Sequence, residues 1–298
     1  MSKRLIIGVL SHTWMNANAN GEGSGGNGLA LQHVTAGEND FPTVNGTSIR
    51  AAMRIGLQDQ GQPTWRCVTR TGYAYGKDRV KEMVKATPKH SDAATMADLM
   101  LGYMVKADGM DEATKKEDSL RSCIANSPAV STTPYCNDRG MGLGQKAKDG
   151  DPAPFTFERH VSRYYFTVDI GIEDVVSLGA AHFLGAMVDT LKGLRIGGRQ
   201  TSNLSEMVPE VLFWREYDVR GQGFLGLAHD YHTTPEVWGL DKSGPSLLAP
   251  VEALSKDFGF TYAYAGQSVG GCSIQEGLDK IKALLDASVA QIQASKKG

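Results

Sequence analysis

The stretch "FERHVSRYYFTVDIGI" (157–172) decides the fold. Its second half, "RYYFTVDIGI" (163–172), is dense in aromatic and β-branched residues, which pack well on a pleated, half-buried surface. A strand is predicted there. Upstream, the apolar run "LIIGVL" (5–10) reads as a buried strand. Downstream, "PEVLFWREYDV" (209–219) reads as a third. Two helices separate these strands. In "NGTSIRAAMRIGLQDQG" (45–61), Asn45-Gly46 makes the turn and Thr47 or Ser48 can cap. Ile49, Met53 and Leu57 then share one helical face, and Arg50 and Arg54 share another. "SLGAAHFLGAMVDTLKGL" (177–194) is predicted as a helix burying Leu178, Ala181, Leu184, Gly185, Val188 and Leu191. A last amphipathic helix is predicted over 274–293, where Ile274, Leu278, Ile281, Leu285, Val289 and Ile292 recur at helical spacing.

Strand, helix, long insertion, strand, helix, strand fits an α+β, ferredoxin-like sheet carrying large insertions. The insertions fall in two places. Residues 78–122 read as short helices: "DRVKEMVKAT", "ATMADLMLGYMVKA" and "ATKKEDSLRSC". Residues 126–160 hold prolines 128, 134, 152 and 154 among glycines and mixed charges, the composition of a long excursion or hairpin.

The 298 residues are 41% hydrophobic and 21% charged, enough for one elaborate domain or two small ones. The net charge of −2 excludes a globally basic nucleic-acid binder, so any polyanion surface must be local. Such a region exists. Between Thr47 and His90 there are nine basic residues against three acids, net +6, which leaves −8 on the rest of the chain. A solvated helical face would give the same count. Cys67, Cys123, Cys136 and Cys272 are scattered without a CxxC pair, so neither a zinc site nor a disulfide framework is expected. The N-terminal apolar run is too short for a signal or membrane segment, and a cytoplasmic protein with no membrane partner is expected.

Five glycine-rich loops invite a nucleotide-site reading, above all "NANANGEGSGGNGLALQH" (16–33) after the first strand. Residues 21–28 contain no lysine, against a P-loop. The segment that follows alternates like a strand rather than opening a helix, against a dinucleotide fold. "HDYH" (229–232) spaces two histidines three apart, but "TTPE" and glycines favour a loop and no third ligand is apparent. His33, Glu38 and Asp40 fall in a polar turn. No catalytic residue, metal or cofactor is expected.

What remains is basic side chains plus backbone donors. Ser48, Arg50 and Arg54 line one helix start, with Asn45 and Gly46 before it. "RIGGRQTSN" (195–203) gathers Arg195, Gly198, Arg199, Gln200, Thr201 and Asn203, a set suited to phosphate oxygens and ribose hydroxyls. Arg159, His160 and Arg163 add cations beside aromatics, or form an edge strand with exposed charges. Asn27 and its flanking glycine amides lie in the first loop.

These motifs resemble a known family. "VNGTSIRAAMR" resembles the G-x-S-L-R/K-x-x-x-R helix start of CRISPR-associated backbone proteins, the repeated subunit of type I Cascade (Cas-seven family, DevR-like branch). "ADLMLGYMV", "SLRSCIANSPAVSTTPYCND", "FERHVSRYYFTVDIGI" and "LKGLRIGGRQTSNLSEMVPEVLFWR" resemble further stretches of that branch, in the same order, over residues 5 to about 217. The resemblance implies an RRM-type palm spanning 1–298, with a helical insertion near 64–122 and a thumb-like insertion near 126–162. It implies a subunit that binds guide RNA (crRNA) by its backbone, polymerises with copies of itself and kinks the guide with its thumb. Tyr135, Met141 and Leu143 are candidates for the kinking wedge. Its partners would be the target DNA strand and the large, guide-end-capping and guide-processing subunits. On this reading Ser48, Arg50, Arg54 and the 197–203 loop face the guide. Related type III subunits cut RNA with an aspartate in the loop before this helix, where Glu38 and Asp40 stand; the surrounding pattern resembles the type I branch, so no cleavage is expected. Two alternatives remain: a type III-like backbone subunit that cleaves target RNA through Asp40, and an unrelated small-molecule enzyme.

Overall fold

The computed structural model describes residues 3–16, 28–29, 31–60, 100–104, 119–120, 122–137, 139–143, 154–196, 206–217, 251–252, 255–256, 259–265 and 272–296. Three long strands form the centre: β1 (Arg4–Asn16), β10 (Pro154–Gly171) and β12 (Glu206–Tyr217). β1 lies between the other two and is antiparallel to both, from Arg4↔Gly171 to Asn16↔Arg159 on one edge and from Arg4↔Tyr217 to His12↔Val208 on the other. Outside β10 lie the short strands β7 (Ile124–Asn126) and β8 (Ala129–Ser131). The central order β12–β1–β10–β7/β8, with helices after β1 and β10, is the ferredoxin-like arrangement. The fold is α+β.

The sheet is then extended at its edges. A hairpin of β3 (Gln32–Ala36) and β4 (Asn39–Val44), turning through Gly37 at φ +63°, joins β8. β9 (Arg139–Leu143) pairs with the first residues of β10, and β2 (Gly28–Leu29) joins β10 in parallel. β11 (Leu194–Arg195) and β13 (Thr261–Tyr264) pair with β12.

Alternation along β1 supplies two cores. Leu5, Ile7 and Val9 face the larger one, with Phe166, Val168, Ile170, Leu212 and Trp214 from the neighbouring strands. The helices cover that face: α1 (Gly46–Asp59), α2 (Ile172–Ser177), α3 (Leu184–Asp189) and α4 (Ile274–Ser295). α4 starts on a capping box between Ser273 and Glu276 and docks on β12 and β13, so closely that a Cβ on Gly277 would stand 2.4 Å from that of Ala263 in β13. Ile6, Leu10, Tyr165, Val211 and Phe213 face the opposite side, under Val251, Phe260 and Tyr264. The Arg215 guanidinium lies over the Phe260 ring there, 4.8 Å from its centre.

The elements differ from the sequence reading in three instructive ways. β1 and β10 run well beyond their apolar stretches, because partners on both edges satisfy the backbone of polar residues. Ser11 and Thr13 are buried, and Thr13 Oγ1 donates to the Glu206 carbonyl at 2.9 Å. The helix expected over 177–194 is interrupted. α2 ends at Gly179 with φ +71°, and a 3-10 turn (Ala181–Phe183), α3 and a second 3-10 turn (Thr190–Lys192) follow. In the helical insertion, Met100 and Leu101 are helical and buried, but Tyr103–Met104 pairs as β5 with Ser119–Leu120 as β6, where helices were expected. That pairing joins residues fifteen and seventeen positions apart, which local periodicity does not report. Gly102, at φ +68°, and Ser122 are also outside any helix; the remaining residues of 64–122 expected to be helical, and "HDYH", lie outside the described residues.

A polar network ties the three central strands together on the second face. The buried Arg4 donates to both Asp169 oxygens at 3.1 Å, and the Tyr217 hydroxyl donates to Asp169 Oδ2 at 2.7 Å. Burial, and then the Asp169 carboxylate, push the Tyr217 hydroxyl up to about 12. Unfolded tyrosine ionises near 10, so between pH 10 and 12 the unfolded chain loses a proton that the folded chain keeps, and stability falls. Denaturant titrations should show a loss of the order of 1–2 kcal/mol across this window. Tyr217→Phe should remove that part of the slope; an unchanged slope would show that the hydroxyl is not held by the network.

Candidate nucleic-acid interface

α1 begins where β4 ends. The Asn45 side chain accepts the Thr47 N–H at 3.0 Å, and the Asn45 carbonyl accepts the N–H groups of Ser48 (2.9 Å) and Ile49 (3.2 Å), so Asn45 is the cap. Ser48 is exposed as the third residue of the helix. Ile49, Met53 and Leu57 are buried, as their spacing predicts, which turns Arg50 and Arg54 toward the β7 side.

There they meet a residue that sequence reasoning passed over. Asn126, the last residue of β7, donates from Nδ2 to the Gly46 carbonyl at 2.7 Å and to the Ser127 carbonyl at 3.3 Å. Its Oδ1 accepts from Arg50 Nη2 at 3.2 Å. The approach is tight: a Cβ on Gly46 would stand 2.9 Å from Asn126 Nδ2. Ser127 fixes the turn in the sheet, accepting the Thr167 N–H on Oγ and donating its own N–H to the Thr167 carbonyl. Arg54 Nη2 donates to the Gly102 carbonyl. Burial and the neighbouring Arg54 charge pull the Arg50 guanidinium down from its ordinary value, yet it remains a cation at neutral pH. The Asn-Ser-Pro turn at 126–128 was the available signal, since a short polar residue before Ser-Pro marks a turn that can also bond to a neighbour.

The second cluster lies across the sheet. β11 to β7 spans four strand spacings, about 19 Å, so the α1 start and the Arg195 edge address different parts of any bound chain. α1 bridges the two edges. Its last turns rest on the α3 segment, with Gly56 against Thr190 and Gln60 Nε2 donating to the Ala186 carbonyl. Gly198, Arg199, Gln200, Thr201 and Asn203 lie outside the described residues, as does Asn27. Their flanking residues are informative all the same. Because β1 is antiparallel to β10 and β12, Asn16, the first turns of β10 and Glu206 share one end of the sheet.

The cations of β10 divide by strand alternation. Arg159 and Arg163 lie on the second face, where Val161 and Val208 are about half exposed and His12 is exposed. Arg163 Nε donates to Glu210 at 2.5 Å, which offsets its charge. His160 points the other way, a correction to its grouping with the two arginines. It is 3% exposed, its Nε2 lies 3.2 Å from both Thr133 Oγ1 and the Thr133 carbonyl, and its ring meets Tyr135 and Tyr164 edge-on.

The polar turn before α1 is a strand hairpin. His33 is not solvated as expected: its Nε2 contacts Glu158 at 3.3 Å and its ring packs on Tyr135, while Glu158 also accepts the Leu31 N–H. Tyr135 is therefore packed between His33 and His160. Glu38 sits in the turn. Asp40 is exposed in β4, accepts from Thr35 Oγ1 at 2.7 Å, and its carbonyl accepts the Tyr135 N–H. The side chains of Met141 and Leu143 lie outside the described residues; their backbones pair with β10. Among the described residues no three His, Cys, Asp or Glu side chains could hold a metal, and no helix is long and apolar enough to cross a membrane. Cys123, Cys136 and Cys272 are thiols, and burial pushes Cys123 up to about 11.

The two neighbours on β10 should respond oppositely to removal. His160→Ala should lower stability by about 1–3 kcal/mol in chemical denaturation, through its lost contacts and the donors left behind. Arg159→Gln should change it by less than about 0.5 kcal/mol. Equal costs would contradict the placement of the two side chains on opposite faces.

No family profile matches the sequence, and no curated protein matches it. Solved structures do. A chain described as "CRISPR RNA-guided surveillance complex, pre-nicking" superposes with a TM-score of 0.56 at 13% identity, covering 97% of this chain and 100% of that one. A chain of a "CRISPR RNA-guided surveillance complex" superposes with a TM-score of 0.55 at 13% identity, covering 97% and 99%. The likeness of fold to chains of RNA-guided surveillance complexes thus extends over nearly the whole of this chain.

Proposed function

We propose that this protein is the guide-RNA-binding backbone subunit of a type I CRISPR Cascade complex. Copies of it polymerise along the crRNA, hold it by its backbone and present it to a target DNA strand. Large, guide-end-capping and guide-processing subunits complete the assembly in the cytoplasm, and the chain itself catalyses nothing. The observation that carries the reading is the likeness of fold to surveillance-complex chains along their full length. Two features of the site support it. Arg50 is held by a neutral amide rather than a carboxylate, so its charge remains available to a phosphate. The α1 start and the Arg195 edge flank the sheet, a spacing suited to tracking an extended strand rather than enclosing one small ligand.

The protein expressed together with its guide should purify with bound nucleic acid, visible in the A260/A280 ratio, as RNA of uniform protected length. Binding should tolerate changes of sequence and weaken steeply with salt. A nucleic-acid-free monomer under these conditions would sink the proposal in favour of an unrelated enzyme or binding module. Magnesium-dependent, regularly spaced cuts in target RNA that vanish in Asp40→Ala would instead assign the exposed Asp40 carboxylate a type III-like role.

A further inference from the structure

We infer that Asn126 is a positioning residue for the phosphate-binding arginine of α1: it orients Arg50 without neutralising it. The inference rests on the guide-binding reading and adds a residue and a mechanism to it. Three observations carry it. First, Asn126 is the hydrogen-bond partner of Arg50, through Oδ1 at 3.2 Å, and Arg50 makes no ion pair among the described residues. Two arginines of the sheet are treated differently, Arg4 meeting Asp169 and Arg163 meeting Glu210. Secondly, the amide is itself fixed from its other end. Nδ2 is committed to the Gly46 and Ser127 carbonyls, so Oδ1 is left facing Arg50, and the flip of the amide is determined by its partners. Thirdly, Gly46 leaves no room for another arrangement, since the amide nitrogen occupies the space in which a side chain at 46 would begin.

An amide suits this task where a carboxylate would not. Aspartate has the same length and would accept from Arg50 more strongly, but it would cancel the charge that a phosphate requires. It would also lose both Nδ2 donors. Asn126→Asp therefore trades two neutral hydrogen bonds for one ion pair and sets a carboxylate oxygen against the Gly46 and Ser127 carbonyls, so it costs stability as well as binding. A residue with a merely structural role would lower stability without acting through Arg50 on the salt dependence.

The test measures binding of a labelled single-stranded RNA oligonucleotide over a range of salt concentrations, with thermal melting of each variant alongside. Asn126→Asp should melt below the unaltered protein while still unfolding in one cooperative transition. It should bind RNA on the order of tenfold more weakly, with the log–log salt slope reduced by about one, as Arg50→Gln should. The double variant should bind no more weakly than Arg50→Gln alone, because Asn126 acts through Arg50. Asn126→Ala, which releases Arg50 without neutralising it, should lose less affinity than Asn126→Asp and keep the slope; it also serves should the aspartate variant fold poorly. Losses that add in the double variant, or an Asn126→Asp protein that binds like the unaltered one, would overturn the inference while leaving the guide reading standing. An unaltered protein that binds no RNA would overturn the guide reading, and this role with it.

Discussion

The antiparallel pairing of β1 with β10, continuous from Arg4↔Gly171 to Asn16↔Arg159, is the interaction on which the rest depends. Because β12 occupies the other edge of β1, the strand is interior, and each of its residues is committed to one of two faces. A slip of one residue would exchange Leu5, Ile7 and Val9 for Ile6 and Leu10 beneath the helices and unmake both cores at once. The Arg4–Asp169–Tyr217 network pins one end of that register, since each of its members comes from a different strand. At the other end the same pairing brings together Asn16, the first turns of β10 and Glu206, and with them the ends of the loops that sequence analysis nominated for binding.

Charge follows from this frame. Arg4 and Arg163 are matched with carboxylates from a neighbouring strand, which secures the fold and spends their charge internally. Arg50 is held by an amide at the end of β7, where the α1 start leans against the sheet. An electrically modest protein, with a net charge of −2, thus keeps a local cation where an extended polyanion could run. Each subunit of a polymer needs only a few such contacts, because neighbouring copies repeat them along the strand.

Much of the frame was legible in the sequence for physical reasons. Leu5–Leu10 and the aromatic run at 163–172 announced interior strands because burial on both faces demands apolar residues. The α1 start was readable to within about two residues: the Asn45-Gly46 turn and the spacing of Ile49, Met53 and Leu57 place the helix, but its cap is Asn45 and not Thr47 or Ser48, which lie inside the first turn. What escaped was non-local. Asn126 gains its meaning from Gly46 and Arg50, some eighty positions earlier, and in sequence it was one polar residue before a proline turn. His160 seemed to belong with Arg159 and Arg163, yet strand alternation sets it on the opposite face beside Tyr135. The β5–β6 pair arises between short segments whose local composition suits helix. The likeness of fold to surveillance-complex chains agrees with the resemblance carried by short motifs, and it extends to the C-terminal residues that those motifs did not reach.

The central claim is that guide RNA lies against the α1 start and the far end of the sheet. Hydrogen–deuterium exchange of the protein with and without a single-stranded RNA oligonucleotide addresses it directly. RNA should slow exchange at amides 46–50, at 126–127 and in the first residues of β10, and leave α4, which packs on β12, β13, α2 and α3, unchanged. Protection confined to α4, or none at the α1 start, would contradict the account.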